Sequence, residues 1–104
     1  MDRQAFLSEV KSRLRQAHGE RLRGVILYGS EARGEAKPDS DIDLLVLLDP
    51  PVDWSRDRAA TYEALLPLEL EIDRPIIALT IDAQQYESYD CPLYREVHRD
   101  GIAA

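Results

Sequence analysis

Apolar and polar residues alternate along the N-terminal part of the chain with the period of a helix. The apolar positions lie three or four residues apart, and a glycine follows where a helix would end: Phe6, Leu7, Val10, Leu14 and Gly19. This pattern predicts an amphipathic first helix over residues 2–18, with one face packed on a core.

Three later apolar runs are short and favour β structure, which predicts strands over residues 24–28, 42–48 and 75–81. In the middle run every residue after Asp43 is apolar, so both faces of this strand should be covered. We therefore expect this strand to lie in the centre of a sheet. Residues 30–33 can form one helical turn between the first two strands.

A second long helix is predicted after the middle strand, because Asp53 or Ser55 can cap its first turn. Its apolar stripe is predicted from residues at helical spacing, namely Ala59, Tyr62, Leu66 and Leu70. Pro67 lies inside this stripe and lacks a backbone donor, which costs about 3 kcal/mol in an uninterrupted helix. We therefore expect a kink or a break near Leu66.

The remaining elements complete a small α/β protein. Asp82 can cap a short turn through Tyr86, and a last helix is predicted over residues 91–99 with Gly101 as its stop. The order helix, strand, strand, helix, strand, helix predicts an α/β (α+β) fold, in which helices cover a sheet of few strands. A chain of 104 residues fits one domain, residues 1–104.

Composition places the chain among ordinary folded proteins, with 44% hydrophobic and 32% charged residues. The formal net charge of −7 would repel a long phosphate backbone, which argues against a polynucleotide ligand. No apolar run reaches the roughly 18 residues that span a bilayer, and the N-terminus lacks the layout of a secretion signal. The single cysteine, Cys91, excludes an internal disulfide. We therefore expect a cytoplasmic protein without a membrane partner.

An acidic pair, Asp41 and Asp43, stands where the middle strand begins. Residues two apart on a strand point to the same side, with their Cα atoms about 7 Å apart. Two such anions beside an apolar core repel each other and lose solvation unless a countercharge is present. Mg²⁺ binds through one or two carboxylates together with phosphate oxygens, so the pair is a candidate metal site. Alternatively, both aspartates mark a solvated strand entrance after the turn at residues 38–40.

A glycine and a serine, Gly29 and Ser30, end the first strand and open the helical turn about ten residues before the acidic pair. Glycine permits a close backbone approach, and the amides and hydroxyl of such a turn can hold phosphate oxygens. The sequence thus offers a phosphate-binding turn opposite a metal-binding pair.

The stretch GSEARGEAKPDSDIDLLV, residues 29–46, combines these two patterns and resembles the DNA polymerase β-like nucleotidyltransferases. It is most similar to the small MNT-type domains that often serve as antitoxin partners of HEPN toxins. The resemblance implies a nucleotidyltransferase-like fold with a small mixed sheet. It also implies ATP bound at Gly29 and Ser30, Mg²⁺ on the catalytic residues Asp41 and Asp43, and transfer of AMP to a hydroxyl of a HEPN-type toxin. Arg33 would help to bind the outgoing phosphates.

Two basic residues near the turn have a second explanation. Arg33 and Lys37 could both hold phosphates, but each is equally well explained as a solvated loop charge.

The sequence departs from this family at the third strand, where active members usually add a third carboxylate. The run over residues 75–81 contains no acidic residue, and Ile77 stands at the expected position. Glu71, Asp73 or Asp82 could substitute, although each can also be a surface charge at the end of an element. Two functions therefore remain open: a nucleotidyltransferase, or an antitoxin with weak or no catalysis that neutralises its toxin by binding alone.

The other side chains with functional chemistry are assigned to packing or to surfaces. His18 and His98 are expected at helix ends or on the surface. Trp54 is expected in the core, or else at the border of a nucleotide base or a partner. The late tyrosines, Tyr86, Tyr89 and Tyr94, are candidates for a protein interface.

Overall fold

A computed structural model describes residues 2–104, so Met1 of the predicted domain lies outside the described residues. The helices are α1 (Arg3–His18), α2 (Gly29–Ala32), α3 (Trp54–Ile72), α4 (Ala83–Ser88) and α5 (Pro92–Asp100), and a 3-10 turn spans Gly19–Arg21. The strands are β1 (Leu22–Tyr28), β2 (Ile42–Leu48), β3 (Ile76–Asp82) and β4 (Ile102–Ala103). The predicted α/β fold is confirmed, and the element boundaries lie within a few residues of those predicted.

The strands form one mixed sheet in the order β3-β2-β1-β4. Strand β2 runs antiparallel to β1 and parallel to β3, so the predicted central position of this strand is confirmed. The short strand β4 pairs antiparallel with β1 and was not predicted. With two residues it is too short to produce a periodic pattern, and it forms because Gly101 ends α5 beside β1.

Helices cover both faces of the sheet. Helices α1 and α3 pack on one face, around a core that includes Val10, Leu44 and Leu68. Helices α4 and α5 pack on the other face, where Leu45 and Val97 are buried. Alternate residues of β2 therefore enter different cores, as expected for a strand that is apolar on both sides.

The predicted apolar stripe of α3 is wrong. Tyr62 and Leu70 are 61% and 72% exposed, and Ala59 is exposed as well. The buried residues lie on a different face of the helix and include two polar ones: Asp57, Thr61, Leu65 and Leu68. Hydrophobicity misidentified the face because the buried polar groups have partners in the fold, Arg21 for Asp57 and His18 for Thr61.

Trp54 and Pro67 also differ from their predictions. Trp54 is 64% exposed at the start of α3, with the guanidinium of Arg58 over its ring, so the expected core position is wrong. Helix α3 continues through Pro67, so a break at this point is wrong. Pro67 is on the solvent side, where water can bond the carbonyl group that loses its partner.

His18 lies at the end of α1, as predicted, but it is buried rather than on the surface. Its Nε2 and the Oγ1 of Thr61 share a hydrogen bond of 2.8 Å. Burial lowers the pKa of this imidazole; the charge of Asp57 opposes that shift and the charge of Arg21 adds to it. The side chain therefore links α1 to α3 in its neutral form.

The tyrosine prediction is wrong for two of the three residues. Tyr86 and Tyr94 are buried and pack edge to face, with their ring centroids 5.3 Å apart, whereas Tyr89 is 59% exposed. Burial follows because α4 and α5 must together cover one face of the sheet. His98 is exposed, as predicted, and stacks on Tyr86.

None of the helices within residues 2–104 combines the length and apolarity that a membrane crossing requires.

Candidate active site

The sheet brings the glycine-serine turn and the acidic pair together. The antiparallel register of β1 and β2 places Tyr28, the last residue of β1, opposite Asp43, the second residue of β2. Gly29 follows Tyr28, and Asp41 lies just before β2. The end of one strand and the start of the next therefore form a single site on the α4 and α5 side of the sheet.

Gly29 fits this site because it has no side chain. Its φ is +75°, and a Cβ atom at this position would lie 2.5 Å from Oδ2 of Asp43. The positive φ and the close approach each favour glycine. The backbone of the turn therefore lies directly against the carboxylate, and the adjoining residue, Ser30, is partly exposed.

The turn after Gly29 is held by its own backbone. The amide of Arg33 donates to the carbonyl of Gly29 at 3.2 Å, and the amide of Glu35 donates to the carbonyl of Ser30 at 2.9 Å. Tyr28, which precedes the turn, makes no side-chain capping hydrogen bond. The first amides of the turn are thus left without the partner that a capping side chain supplies at many helix starts.

Asp43 is half-buried, and its environment disfavours a bare negative charge. Burial raises the pKa of this carboxyl group, and the nearby charges of Asp41 and Glu96 raise it further. Arg33 acts in the opposite direction. The negative groups outweigh this one cation, so a bound cation would stabilise the ionised form of Asp43.

Tyr28 borders the same carboxylate. Burial, followed by the charges of Asp43 and Glu96, raises the pKa of its phenol to about 12. The phenol is therefore neutral at physiological pH and does not serve as a general base there.

Arg33 reaches the site, and so does an acidic residue that the sequence did not indicate. The Nη1 of Arg33 donates to Oε1 of Glu96 at 3.1 Å, and its Nε donates to Oε2 of Glu35 at 3.3 Å. Glu96 belongs to α5 and lies 63 positions from Arg33. No local pattern could identify Glu96, because only the packing of α5 beside β1 brings it near Asp43. Lys37 is exposed in the loop before β2.

Ile77 occupies the strand position next to Asp43, as predicted. The parallel register of β2 and β3 pairs these two residues, so their side chains project from the same face of the sheet. Ile77 is 44% exposed. An accessible apolar side chain therefore stands where the family resemblance implies a carboxylate.

The three substitute carboxylates lie elsewhere. Asp82 is at the far end of β3, about 17 Å along the strand from the level of Asp43. Its carboxylate instead caps α4 by accepting from the amides of Gln84 and Gln85. Asp73 is the exposed C-cap of α3, and Glu71 lines a cavity on the opposite side of the sheet. Within the part of the chain that the structure describes, none of the three forms a group with Asp41 and Asp43 that could hold a metal ion.

The donor set suits a metal that arrives with a nucleotide. Within residues 2–104, no three His, Cys, Asp or Glu side chains are grouped so that they could hold a metal ion by themselves. Mg²⁺ in proteins often takes only one or two carboxylates and completes its coordination with phosphate oxygens and water, and two carboxylates beside an open backbone turn fit that pattern. The raised pKa of Asp43 and the close approach of Gly29 agree with a site in which the protein supplies the carboxylates and the nucleotide supplies the phosphate oxygens.

Known proteins resemble this chain in sequence and in fold. A Methanocaldococcus jannaschii protein with the name "Putative protein adenylyltransferase MJ0604" is 33% identical over 57 residues, which cover 55% of this chain and 57% of that protein. The match thus spans little more than half the length of this relative. A solved structure described as a "putative minimal nucleotidyltransferase" is 28% identical, with a TM-score of 0.61 and coverage of 95% of this chain and 89% of the other.

A third similarity concerns the fold alone. A chain in the structure of a tri-AMPylated Shewanella oneidensis HEPN toxin in complex with MNT antitoxin has a TM-score of 0.62 and 21% identity. The match covers 96% of this chain and 69% of that chain.

A sequence profile of the family described as "Nucleotidyltransferase domain" matches residues 7–88, which include β1, the turn, β2 and β3. The chain therefore belongs to the nucleotidyltransferase domain family.

Proposed function

We propose that this chain is a minimal nucleotidyltransferase that transfers AMP from Mg-ATP to a hydroxyl group of a partner protein. The observation that carries the proposal is the contact between the backbone of Gly29 and the carboxylate of Asp43. This contact brings a turn suited to phosphate oxygens against a carboxylate suited to Mg²⁺. The single domain, residues 1–104, would contain the whole nucleotide site.

The residues of the chain divide the work of binding and orientation. Mg²⁺ would neutralise the triphosphate and the charge that develops on the attacking and leaving oxygens. Asp41 and Asp43 would hold the metal, while the amides and hydroxyl at Gly29 and Ser30 would hold phosphate oxygens. Arg33 would release the carboxylate of Glu96 and bind the outgoing phosphates instead. A guanidinium binds phosphates through paired hydrogen bonds.

The transfer itself is an in-line substitution at phosphorus. The acceptor oxygen forms a bond to the α-phosphorus, the bond from this phosphorus to the α,β-bridging oxygen breaks, and pyrophosphate leaves. The hydroxyl proton passes to water, since Ile77 supplies no carboxylate and Tyr28 is neutral. A missing general base typically lowers the rate by about 10²- to 10⁴-fold, so we expect slow turnover driven mainly by positioning.

A HEPN-type toxin is the proposed partner. Its support is the fold similarity to a chain of the complex between a tri-AMPylated HEPN toxin and an MNT antitoxin, together with the adenylyltransferase name of the archaeal relative. The use of ATP is consistent with the cytoplasm as the proposed location.

The second candidate function is that of an antitoxin that acts by binding alone. The observation that favours it is Ile77, an apolar residue beside Asp43 at the position of the third carboxylate. The same fold would then cover a toxin surface without a chemical step.

A labelling experiment tests the transfer. The purified chain is incubated with Mg²⁺ and a lysate of its own host, and α-labelled ATP is compared with γ-labelled ATP. We expect a protein band labelled only from the α position, whose labelled residue mass spectrometry then identifies as an AMP ester. The double variant Asp41→Asn/Asp43→Asn should lose this band. Equal labelling by the double variant, or no α label at all, would contradict a nucleotidyltransferase.

A neutralisation assay separates the two candidates. The same double variant is co-expressed with a toxin that co-purifies with the wild-type chain, and growth is measured. Under the transferase proposal the variant fails to protect the cells, because modification is the neutralising event. Full protection by the variant would instead support binding alone.

A further inference from the structure

A partly buried guanidinium connects the two segments that form the nucleotide site. Arg74 lies between α3 and β3, and its side chain is 20% exposed. Its Nη1 donates to Oε1 of Glu31 at 2.5 Å, and its Nε donates to the backbone carbonyl of Ser40 at 3.0 Å. Glu31 follows Ser30 directly, and Ser40 directly precedes Asp41. One side chain thus holds the phosphate turn and the metal-binding loop at the same time.

The geometry of arginine suits this double contact. The guanidinium is planar and presents its donors in a fixed fork, so the distance between its two acceptors is fixed as well. The charge of Arg74 is matched by Glu31, which forms an ion pair with it. Lysine keeps the charge at this position but lacks the fork that meets Glu31 and Ser40 together.

Neighbouring bonds hold both attached segments in place. Arg3, on α1, donates from Nη2 to the carbonyl of Glu31 at 2.7 Å. The amide of Ile42, at the start of β2, donates to the carbonyl of Pro75 at 2.8 Å. The residue after Arg74 is therefore fixed to the strand that carries Asp43, and the guanidinium extends this attachment to the turn.

One nitrogen of the Arg74 guanidinium lacks the hydrogen-bond partner that the other two have. The Nη2 atom of Arg74 is buried and has no hydrogen-bond partner within residues 2–104. An unpaired buried donor normally opposes stability. The two nitrogens that do have acceptors both contact segments of the site.

We propose that Arg74 is a positioning residue for the nucleotide. By tethering the turn at Glu31 and the loop at Ser40, it fixes the separation between Gly29 and Ser30 on one side and Asp41 on the other. One triphosphate and its bound cation can then contact both sides, the phosphates at the turn and the cation at Asp41. This inference rests on the proposed nucleotide function, and it assigns Arg74 no contact with the reacting atoms.

The test combines backbone hydrogen exchange with calorimetric binding of Mg-ATP. Four variants are compared with the wild type: Arg74→Gln, Arg74→Lys, Glu31→Ala and the control Arg13→Gln. Arg13 is also partly buried and forms one ion pair, with Glu9, but it lies on α1 away from the site. The control therefore reports the effect of losing an arginine and its ion pair.

Each variant has a distinct expected result. Arg74→Gln should speed amide exchange in both residues 29–35 and residues 37–41, whereas Glu31→Ala should speed exchange in the turn alone. Both should weaken Mg-ATP binding, by about 10- to 100-fold for Arg74→Gln, the usual loss for a residue that orients ligands. Arg74→Lys should resemble Arg74→Gln, and Arg13→Gln should leave both measurements unchanged.

Other outcomes overturn the proposal in distinguishable ways. If the wild type binds Mg-ATP and Arg74→Gln binds it equally well, the positioning role is wrong and the proposed function stands. Unchanged exchange in both segments of Arg74→Gln excludes the tether, and full affinity in Arg74→Lys excludes the need for the fork. If the wild type itself does not bind Mg-ATP, both the proposed function and the positioning role are wrong.

Discussion

Gly29 carries two constraints at the residue scale, a positive φ and a carboxylate where a Cβ atom would lie. Gly19 has a similar φ of +63°, but apart from its chain neighbours no atom of residues 2–104 lies within 4 Å of its Cβ position. The two glycines therefore separate backbone strain from steric conflict with the acidic pair.

We predict that Gly29→Ala lowers the affinity for Mg-ATP by tenfold or more, because the added methyl group displaces Asp43 or the turn. Gly19→Ala should lose about 1–3 kcal/mol of unfolding free energy from backbone strain alone and keep its affinity. Calorimetric titration and urea unfolding of both variants provide the measurements. Equal Mg-ATP affinity in the two variants would mean that the approach of Gly29 to Asp43 is irrelevant to binding.

Ile77 offers the opposite kind of test, a gain of function. Because it pairs with Asp43 and is 44% exposed, a carboxylate at this position can enter the site without entering the core. We predict that Ile77→Asp raises the rate of Mg-dependent AMP transfer, by up to about 10²- to 10⁴-fold if the missing base limits the rate. Ile77→Asn is the matched control and should give no gain. A transfer rate for Ile77→Asp no higher than that of Ile77→Asn would contradict the assignment of this position.

At the scale of elements, the sequence predicted what depends on local pattern and missed what depends on packing. The run over β2 and the turn at Gly29 have strong local signals, and the predicted place of Ile77 follows from strand order. The buried face of α3 was wrong because hydrophobicity cannot reveal that Asp57 and Thr61 find partners on other elements. Glu96 was missed for a similar reason, since it reaches the site through the docking of α5.

The link between α1 and α3 predicts a pH dependence of stability. His18 is buried with a lowered pKa, so the unfolded state binds a proton more readily than the folded state does. The stabilisation that comes from neutral, buried His18 is fully present above the pKa of the unfolded state, about 6.5. It is lost as the pH falls through that value towards the lower pKa of the folded state, with a slope of at most about 1.4 kcal/mol per pH unit.

Urea unfolding at pH 7.5 and pH 5.5 checks this expectation. The wild type should lose more unfolding free energy between the two pH values than His18→Gln does. His98→Gln, which alters an exposed histidine, should behave like the wild type. A loss that is the same in wild type and His18→Gln would assign the pH dependence to other groups.

At the scale of the whole molecule, the net negative charge favours binding of a nucleotide that carries a cation. The chain has 20 acidic and 13 basic residues, and three of the acidic ones, Asp41, Asp43 and Glu96, lie together at the site near Arg33. A free triphosphate would approach against this charge, whereas a magnesium complex carries the countercharge that the acidic pair lacks. Fold and electrostatics thus support the same proposal, that nucleotide and metal bind here together.

Calorimetric titration of ATP, in excess Mg²⁺ and again in EDTA, tests this claim most directly. The wild type should bind in Mg²⁺ and lose most of its affinity in EDTA, and Asp41→Asn/Asp43→Asn should not bind in either solution. Asp39→Asn, which removes an exposed charge from the same loop, should bind like the wild type. Equal affinity with and without Mg²⁺, or undiminished binding by the double variant, would contradict the site described here.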